Sequence, residues 1–252
     1  MASLTDVIQL LQNMLKPALF TDYCPNGLQV AGREEIGLLV TGVTASQALI
    51  DAAIALSADA ILVHHGWFWK GESPCIVGLK HKRLKALLLN DISMLAYHLP
   101  LDAHPVLGNN AQMAARLGWE IEGLLYPDNP KQVGNVARLP EPLSPQAFAQ
   151  RLQDVLGQAP LHIEGGPAEI RRVGFCTGAA QGFIDQAISM GCDAYVSGEI
   201  SEPTVHSARE AGIHYFAAGH HATERYGVQA VGDFLAMELG LKHVFVDVAN
   251  PV

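Results

Sequence analysis

Apolar residues open the chain at helical spacing. Val7, Leu10, Leu11, Met14 and Leu15 share one face, with Ser3 or Thr5 available as N-cap, so the first fifteen residues predict an amphipathic helix. A turn-rich stretch follows, "FTDYCPNGLQVAG", and then the period changes. "IGLLVTGV" reads as a strand, "SQALIDAAIALSA" as a helix and "DAILVHH" as a strand. "LKHKRLKALLLND" reads as a helix, "ISMLAYHL" as a strand and "NNAQMAARLGW" as another helix. Strands alternating with helices predict an α/β fold with mostly parallel sheets and helices on their faces.

Between 126 and 172 proline and glycine become dense and periodicity weakens, apart from one helix, "SPQAFAQRLQDVLG", capped by Ser144 with Pro145 in its first turn. The rhythm then resumes. "LIDAAIALSADAILV" from 49 aligns without a gap on "FIDQAISMGCDAYVS" from 183, and Thr41–Gly42 echoes Thr177–Gly178. The match is read either as duplication or as the general likeness of any two βαβ units, and we adopt duplication. The expected organisation is a first lobe over 1–126, a connecting segment over 127–172 and a second lobe over 173–252.

The two lobes end alike. "ISMLAYHLPLD" closes on His98 and Asp102, and "IHYFAAGHHATE" on His220 and Glu224, each pair four residues apart just beyond a strand. The carboxyl ends of parallel strands are where ligands bind in open α/β sheets. His64 and His65 stand together at the end of "ILVHH". Neighbouring side chains on a strand point to opposite faces, so two adjacent imidazoles share a cleft only if the chain leaves the sheet there. His220 and Glu224 begin a stretch with helical apolar spacing (Val228, Val231, Phe234, Leu235), which puts both on one helix face.

Each of these residues alone has a duller explanation: a core or capping histidine, an N-cap aspartate for the helix near Asn109, a glutamate serving the helix dipole. Together, His64, His65, Asp102, His220 and Glu224 place three imidazoles and two carboxylates on one rim, an arrangement costly without cations. Five ligands exceed one tetrahedral zinc and suit two divalent ions, of zinc, iron, manganese or nickel, sharing a carboxylate. Ions about 3.5–4 Å apart clamp a bridging hydroxide and stabilise the oxyanion its attack creates, so hydrolysis is the natural reaction class. His98 is assigned as general acid/base or as a support to the ligands. His221 is expected to point away, and His81, His104, His206 and His243 to be surface or structural.

Composition narrows the classes. The chain is 49% hydrophobic and 16% charged with a formal net charge of −9, enough apolar content for a large core and a poor balance for binding nucleic acid. The basic run "LKHKRLK" at 79–85 reads as a solvated helix face. Four widely spaced cysteines, no signal-peptide pattern and no long apolar run predict a reduced, soluble, cytoplasmic protein. The aromatic trio Trp67, Phe68 and Trp69 either stacks a flat heterocycle or packs a lid or interface, with packing preferred.

Four motifs in order, "PNGLQVAG", "VHHG", "HLPLDAH" and "AAGHHATE", resemble the Nif-three-like dinuclear metal-binding family, in its YbgI type (GTP cyclohydrolase I type 2 homologue), over essentially the whole chain. The resemblance implies a metal pair held by His64, His65, Asp102, His220 and Glu224, with Glu224 bridging. It also implies two intertwined, related lobes in three layers and a homohexameric ring without the inserted domain of longer relatives. Gly66 departs from the proline that follows the histidine pair in many relatives. The expected function is a metal-dependent hydrolase acting on a small nucleotide-like or cyclic-amide substrate. The alternative is a non-catalytic metal-binding ring that serves assembly or interaction.

Overall fold

The computed structural model describes residues 1–129 and 133–252. In chain order the elements are β1 (Ala2–Ser3), α1 (Leu4–Leu15), β2 (Gly27–Val30), β3 (Glu35–Ile36), β4 (Leu38–Thr44), α2 (Gln47–Ala55), β5 (Ala60–His65), α3 (Gly78–Leu89) and β6 (Ser93–Ala96). Then come α4 (Leu99–Ala103), α5 (Asn109–Leu117), β7 (Glu120–Leu124), β8 (Asn135–Leu143), α6 (Pro145–Leu156), β9 (Leu161–Ile163) and β10 (Ile170–Cys176). The chain finishes with α7 (Ile184–Ser189), β11 (Ala194–Ser197), α8 (Glu202–Ala211), β12 (His214–Ala217), α9 (His220–Leu239) and β13 (Lys242–Phe245).

The fold is α/β with two compact units. The first comprises Met1–Leu101 and Gly227–Ala249, the second Asp102–Tyr226 and Asn250–Val252. The lobes expected at 1–126 and 173–252 follow the sequence, whereas these units interleave along it, and Asp102 opens the second one. The expected connecting segment 127–172 contributes β8, α6, β9 and part of β10 to the second unit; residues 130–132 of it lie outside the described residues. Pro140 and Pro142 hide β8 from a sequence reading because proline weakens a ladder. They fall where the β8–β10 register jumps between Arg138↔Arg172 and Leu143↔Ile170.

In the first unit a five-stranded sheet runs β13-β4-β5-β6-β2, parallel except for the antiparallel edge strand β2. Leu49, Ile50 and Ala53 of α2 and Leu87 of α3 pack on Ile61, Val63 and Met94. The Ser3 side chain caps α1 in a reciprocal box with Asp6; in the basic run of α3, His81, Lys82 and Lys85 are exposed, whereas Arg83 is half-buried and Lys80 folds onto Glu72. In the second unit a six-stranded sheet runs β7-β8-β10-β11-β12-β9, with a parallel centre β10-β11-β12 and antiparallel flanks. Here alternation separates two apolar faces. Phe175, Val196 and Phe216 join Phe148, Leu152 and Leu156 of α6 in one core, while Tyr195 and Tyr215 join Ile184, Ala187 and Ala208 in another. Helices therefore cover both faces, giving three layers.

The two parallel centres repeat one plan. β4 pairs β5 with Leu39↔Ala60, and β10 pairs β11 with Val173↔Ala194, both partners displaced by 134 positions. One aspartate clamps each start. Asp59 Oδ2 accepts from the backbone N–H of Gly37 and Leu38, both at 2.8 Å. Asp193 Oδ2 accepts from Arg171 and Arg172, both at 2.9 Å, again 134 positions on. This register puts Phe175, not Thr177, at the place of Thr41, so the Thr–Gly echo is a coincidence of composition. The third strands are displaced by 121 positions, Ser93 to His214. The spacing from His98–Asp102 to His220–Glu224 is 122, so those pairs are not strict equivalents.

Candidate functional site

In the first unit the candidate side chains leave the carboxyl ends of β5 and β6. His64 is fully buried and His65 half-buried. β6 stops at Ala96 because the chain is pulled out of the sheet: Asn26 Oδ1 accepts from His98 N at 2.7 Å and Asp22 Oδ2 from Leu99 N at 2.9 Å. The strand expected through Leu99 is cut short by these side chains. The His98 ring thereby comes to 5.0 Å from His64 and 5.7 Å from His65, centroid to centroid, with the histidine pair itself at 4.5 Å. One nitrogen from each of the three lies within 4.8 Å of the others, a cluster that can bind metal.

Hydrogen bonds set the ring nitrogens. His64 Nδ1 lies 3.0 Å from Tyr97 O, and His98 Nδ1 lies 2.7 Å from Asp22 Oδ1. A carbonyl or an ionised carboxylate has no proton to give, so Nδ1 carries the hydrogen and Nε2 the lone pair. His65 Nδ1 is 3.2 Å from Thr44 Oγ1. Asp22 also accepts from Tyr23 N and Asn26 Nδ2, so four donors fill it. Burial alone would raise its carboxyl, but the His98 and Asn26 hydrogen bonds, the imidazole charge and the Leu99 amide outweigh it and hold it at about 2. Asp22 is thus the orienter of His98. Nearby Cys24 stays a thiol, pushed up to about 12 by burial and then by Asp22.

The aromatic trio divides. Trp67 packs in the core and donates from Nε1 to Ala45 O at 3.0 Å. Phe68 is partly exposed under the Lys80 ammonium, and Trp69 sets its ring edge-on to His98 at 5.1 Å. A Cβ at Gly66 would come within 2.4 Å of Gln29 Oε1 and 2.5 Å of the Ala96 Cβ, which explains the glycine after the histidine pair.

In the second unit the candidates gather beyond β10, β11 and β12. Buried Asp102 of α4 accepts from Asn109 Nδ2 at 2.8 Å and from the Thr177 hydroxyl at 3.3 Å. Asn110 donates to Asp102 O and accepts from Thr177 N, which ties α5 to the end of β10. The N-cap of α5 is Gly108, so Asp102 does not serve as the cap. On the first turn of α9, His220 Nε2 lies 3.2 Å from Glu224 Oε2, and Glu224 is only 2% exposed. Gly178 makes room for that carboxylate: with φ +70°, a Cβ there would stand 2.1 Å from Glu224 Oε1. Glu199, one residue past Gly198 at the end of β11, takes His220 Nδ1 at 2.7 Å.

Burial alone would lower the His220 imidazole, yet Glu224 and Glu199 outweigh it and push it up to about 9. This carboxylate pair holds a cation on His220, a proton when no metal is bound. A divalent ion at Nε2 takes that proton's place, as metal binding to imidazole does generally, so the donor set fits a metal. Cys176 is a buried thiol held well above its usual range by burial, then by Asp102 and Glu224.

The remaining histidines are structural or exposed. His104 Nδ1 accepts from Val106 N and Leu107 N, His243 joins Thr41 to Asp233, and exposed His206 pairs with Glu202. His221 donates its backbone N–H to Val252 O. Sequence reasoning missed Asp22, Thr177, Asn109, Asn110 and Glu199. Only Glu199 left a signal: it lies 134 positions after His65.

Among the described residues no helix is long and apolar enough to cross a membrane. Known proteins resemble the chain from end to end. The model of the Duf34/NIF3 (NGG1p interacting factor 3) family matches residues 2–251. A Pseudomonas aeruginosa protein named GTP cyclohydrolase 1 type 2 homolog is 57% identical over 249 residues, covering 99% of this chain and 98% of the relative. An Escherichia coli protein of the same name is 50% identical, covering 98% of each. Among solved structures, protein ybgI superposes with a TM-score of 0.95 at 49% identity, covering 99% of this chain and all of that one. A Thermus thermophilus protein superposes at 0.90 and 31% identity, with 99% and 100% covered.

Proposed function

The chain belongs to the Duf34/NIF3 family, and from that premise we propose a dinuclear metal-dependent hydrolase whose ligands are His64, His65, Asp102, His220 and Glu224. The observation that carries the reading is the common orientation of its imidazoles. His64 and His220 each set Nδ1 against an oxygen, Tyr97 O in one case and Glu199 in the other, which leaves Nε2 as the nitrogen for a metal, on His220 in place of the proton it otherwise carries. Oxygen partners on the far nitrogen are the support that metal-ligating histidines use. The carboxylates of Asp102 and Glu224 would supply the negative charge that two divalent ions need.

Bound there, the two ions supply Lewis-acid polarisation of a carbonyl or ring carbon and a water acidic enough to ionise near neutrality. The chain's own residues do the rest. His98, its Nδ1–H held by Asp22, offers Nε2 to receive a proton and return it to the leaving group. The Trp69 ring packs T-shaped against His98, 5.1 Å between centroids, and bounds one side of it. The relatives' label makes a purine nucleotide the first substrate to try, with cyclic amides second.

A homohexameric ring in the cytoplasm belongs to the same proposal. Ile76, Val77, Leu79, Leu88 and Leu89, on α3 and its approach, are between 48% and 74% exposed, apolar area suited to burial against other copies. Elemental analysis of protein purified without added metal should find about two divalent ions per chain. His65→Ala and Glu224→Ala should each lose metal and hydrolysis together. Turnover unchanged in both variants would end the proposal, and metal without turnover on any substrate would favour a non-catalytic ring.

A further inference from the structure

Glu199 is outside the proposed ligand set but is held hard against it. Its backbone is fixed beyond the end of β11 by the Tyr215 hydroxyl, which donates to Glu199 O. The preceding residue has to be glycine, because a Cβ at Gly198 would stand 2.6 Å from His220 Cα and 2.7 Å from Gly178 O. Those close approaches fix where the Glu199 side chain starts relative to the first turn of α9. From there Oε1 reaches His220 Nδ1 at 2.7 Å. Among the described residues the carboxylate has no second hydrogen-bond partner. The residue stands instead on the wall of a cavity of about 450 Å³ that Gln158, Ile200 and Gly219 also line. A glutamate serving only as a surface ion pair would not need a glycine pressed against its partner's backbone.

We infer that Glu199 is the positioning residue of His220: it fixes the hydrogen on Nδ1 and so keeps the Nε2 lone pair turned to the cation. The inference rests on the metal reading above. Imidazole turns about the Cβ–Cγ bond, and either nitrogen can carry the hydrogen in a ring that nothing holds. An acceptor on Nδ1 removes that freedom and makes Nε2 the more basic donor.

Cobalt(II) is the probe, titrated into full-length protein and followed by visible absorption in competition with a chelator. Glu199→Leu should weaken cobalt binding roughly 10–100-fold, while Glu199→Gln, whose amide oxygen still accepts from Nδ1, should recover most of the loss. In the zinc-loaded protein, the downfield His220 Nδ1–H proton resonance should be present in wild type and Glu199→Gln and absent in Glu199→Leu. Should Glu199→Leu fail to fold, Glu199→Ser serves the same comparison. Equal cobalt affinity in wild type and Glu199→Leu with the resonance unmoved overturns the assignment, as does a Glu199→Gln variant as weak as the leucine one. Wild-type protein that takes up no cobalt overturns the metal reading itself.

Discussion

The ends of β5 and β11 occupy the same place in two copies of one plan, yet they carry different residues. His64 and His65 close β5; 134 positions later Gly198 and Glu199 follow β11. The strand registers and the aspartate clamps repeat without a slip. Backbone hydrogen bonds therefore preserve the scaffold while the rim residues diverge. In the first copy that rim position, the last of the strand, offers the His65 imidazole. In the second, the equivalent residue holds an imidazole that arrives from α9. The first set is rich in imidazoles, the second in carboxylates.

The largest expected effect comes from forcing the second copy toward the first. Gly198→Ala drives a Cβ into His220 Cα and Gly178 O, backbone atoms that cannot swing aside. We expect about 3 kcal/mol of lost stability. His64→Ala at the equivalent position meets no such wall, since an imidazole already fills the space, and should cost less. Urea unfolding of the two variants settles the order, and the reverse order would mean that the two strand ends are not equivalent.

The clamps should answer more evenly. Asp193→Ala strands the amides of Arg171 and Arg172, and Asp59→Ala those of Gly37 and Leu38. Each should cost about 1–2 kcal/mol, because these amides are part-buried or exposed and water can partly replace the lost acceptor. Asp59 also pairs with Arg33 at 2.9 Å, but that guanidinium is well exposed and adds little. Hydrogen exchange sharpens the comparison: each variant should speed exchange only at the amides of its own strand. Spread to both strands would contradict two separately clamped centres.

Much of this was legible in the sequence. The ungapped match of 49–63 with 183–197 found the repeat because helix faces and buried strands impose periodic apolar positions on both copies. The histidines and acids stood out because they follow those strands. Three things were illegible for physical reasons. β8 carries two prolines inside a register jump, so its pattern resembles a loop. The compact units draw on segments distant in sequence, which no local composition shift records. The orienters Asp22 and Thr177 act through side-chain hydrogen bonds that leave no period, and Asp22 reaches His98 across 76 positions.

Asp22 gives the comparison its mildest test, through acid. Its carboxyl sits at about 2 in the folded chain against an ordinary value of 3.8. A depressed carboxylate contributes stability that is fully present above the unfolded value and is lost as pH falls through the folded one. The window therefore runs from about pH 4 down to about 2, and the most it can hold is about 2 kcal/mol. Asp22→Asn should be less stable than wild type at neutral pH, because an amide cannot take all four donors. Unfolding free energies measured from pH 5 to about 2 should show that gap closing as the Asp22 carboxyl is protonated, first in the unfolded chain and then in the folded one. A gap that stays constant through the window would show that the charge on Asp22 contributes nothing. The first unit's histidine rim would then be held by shape alone, unlike the carboxylate-held His220 of the second.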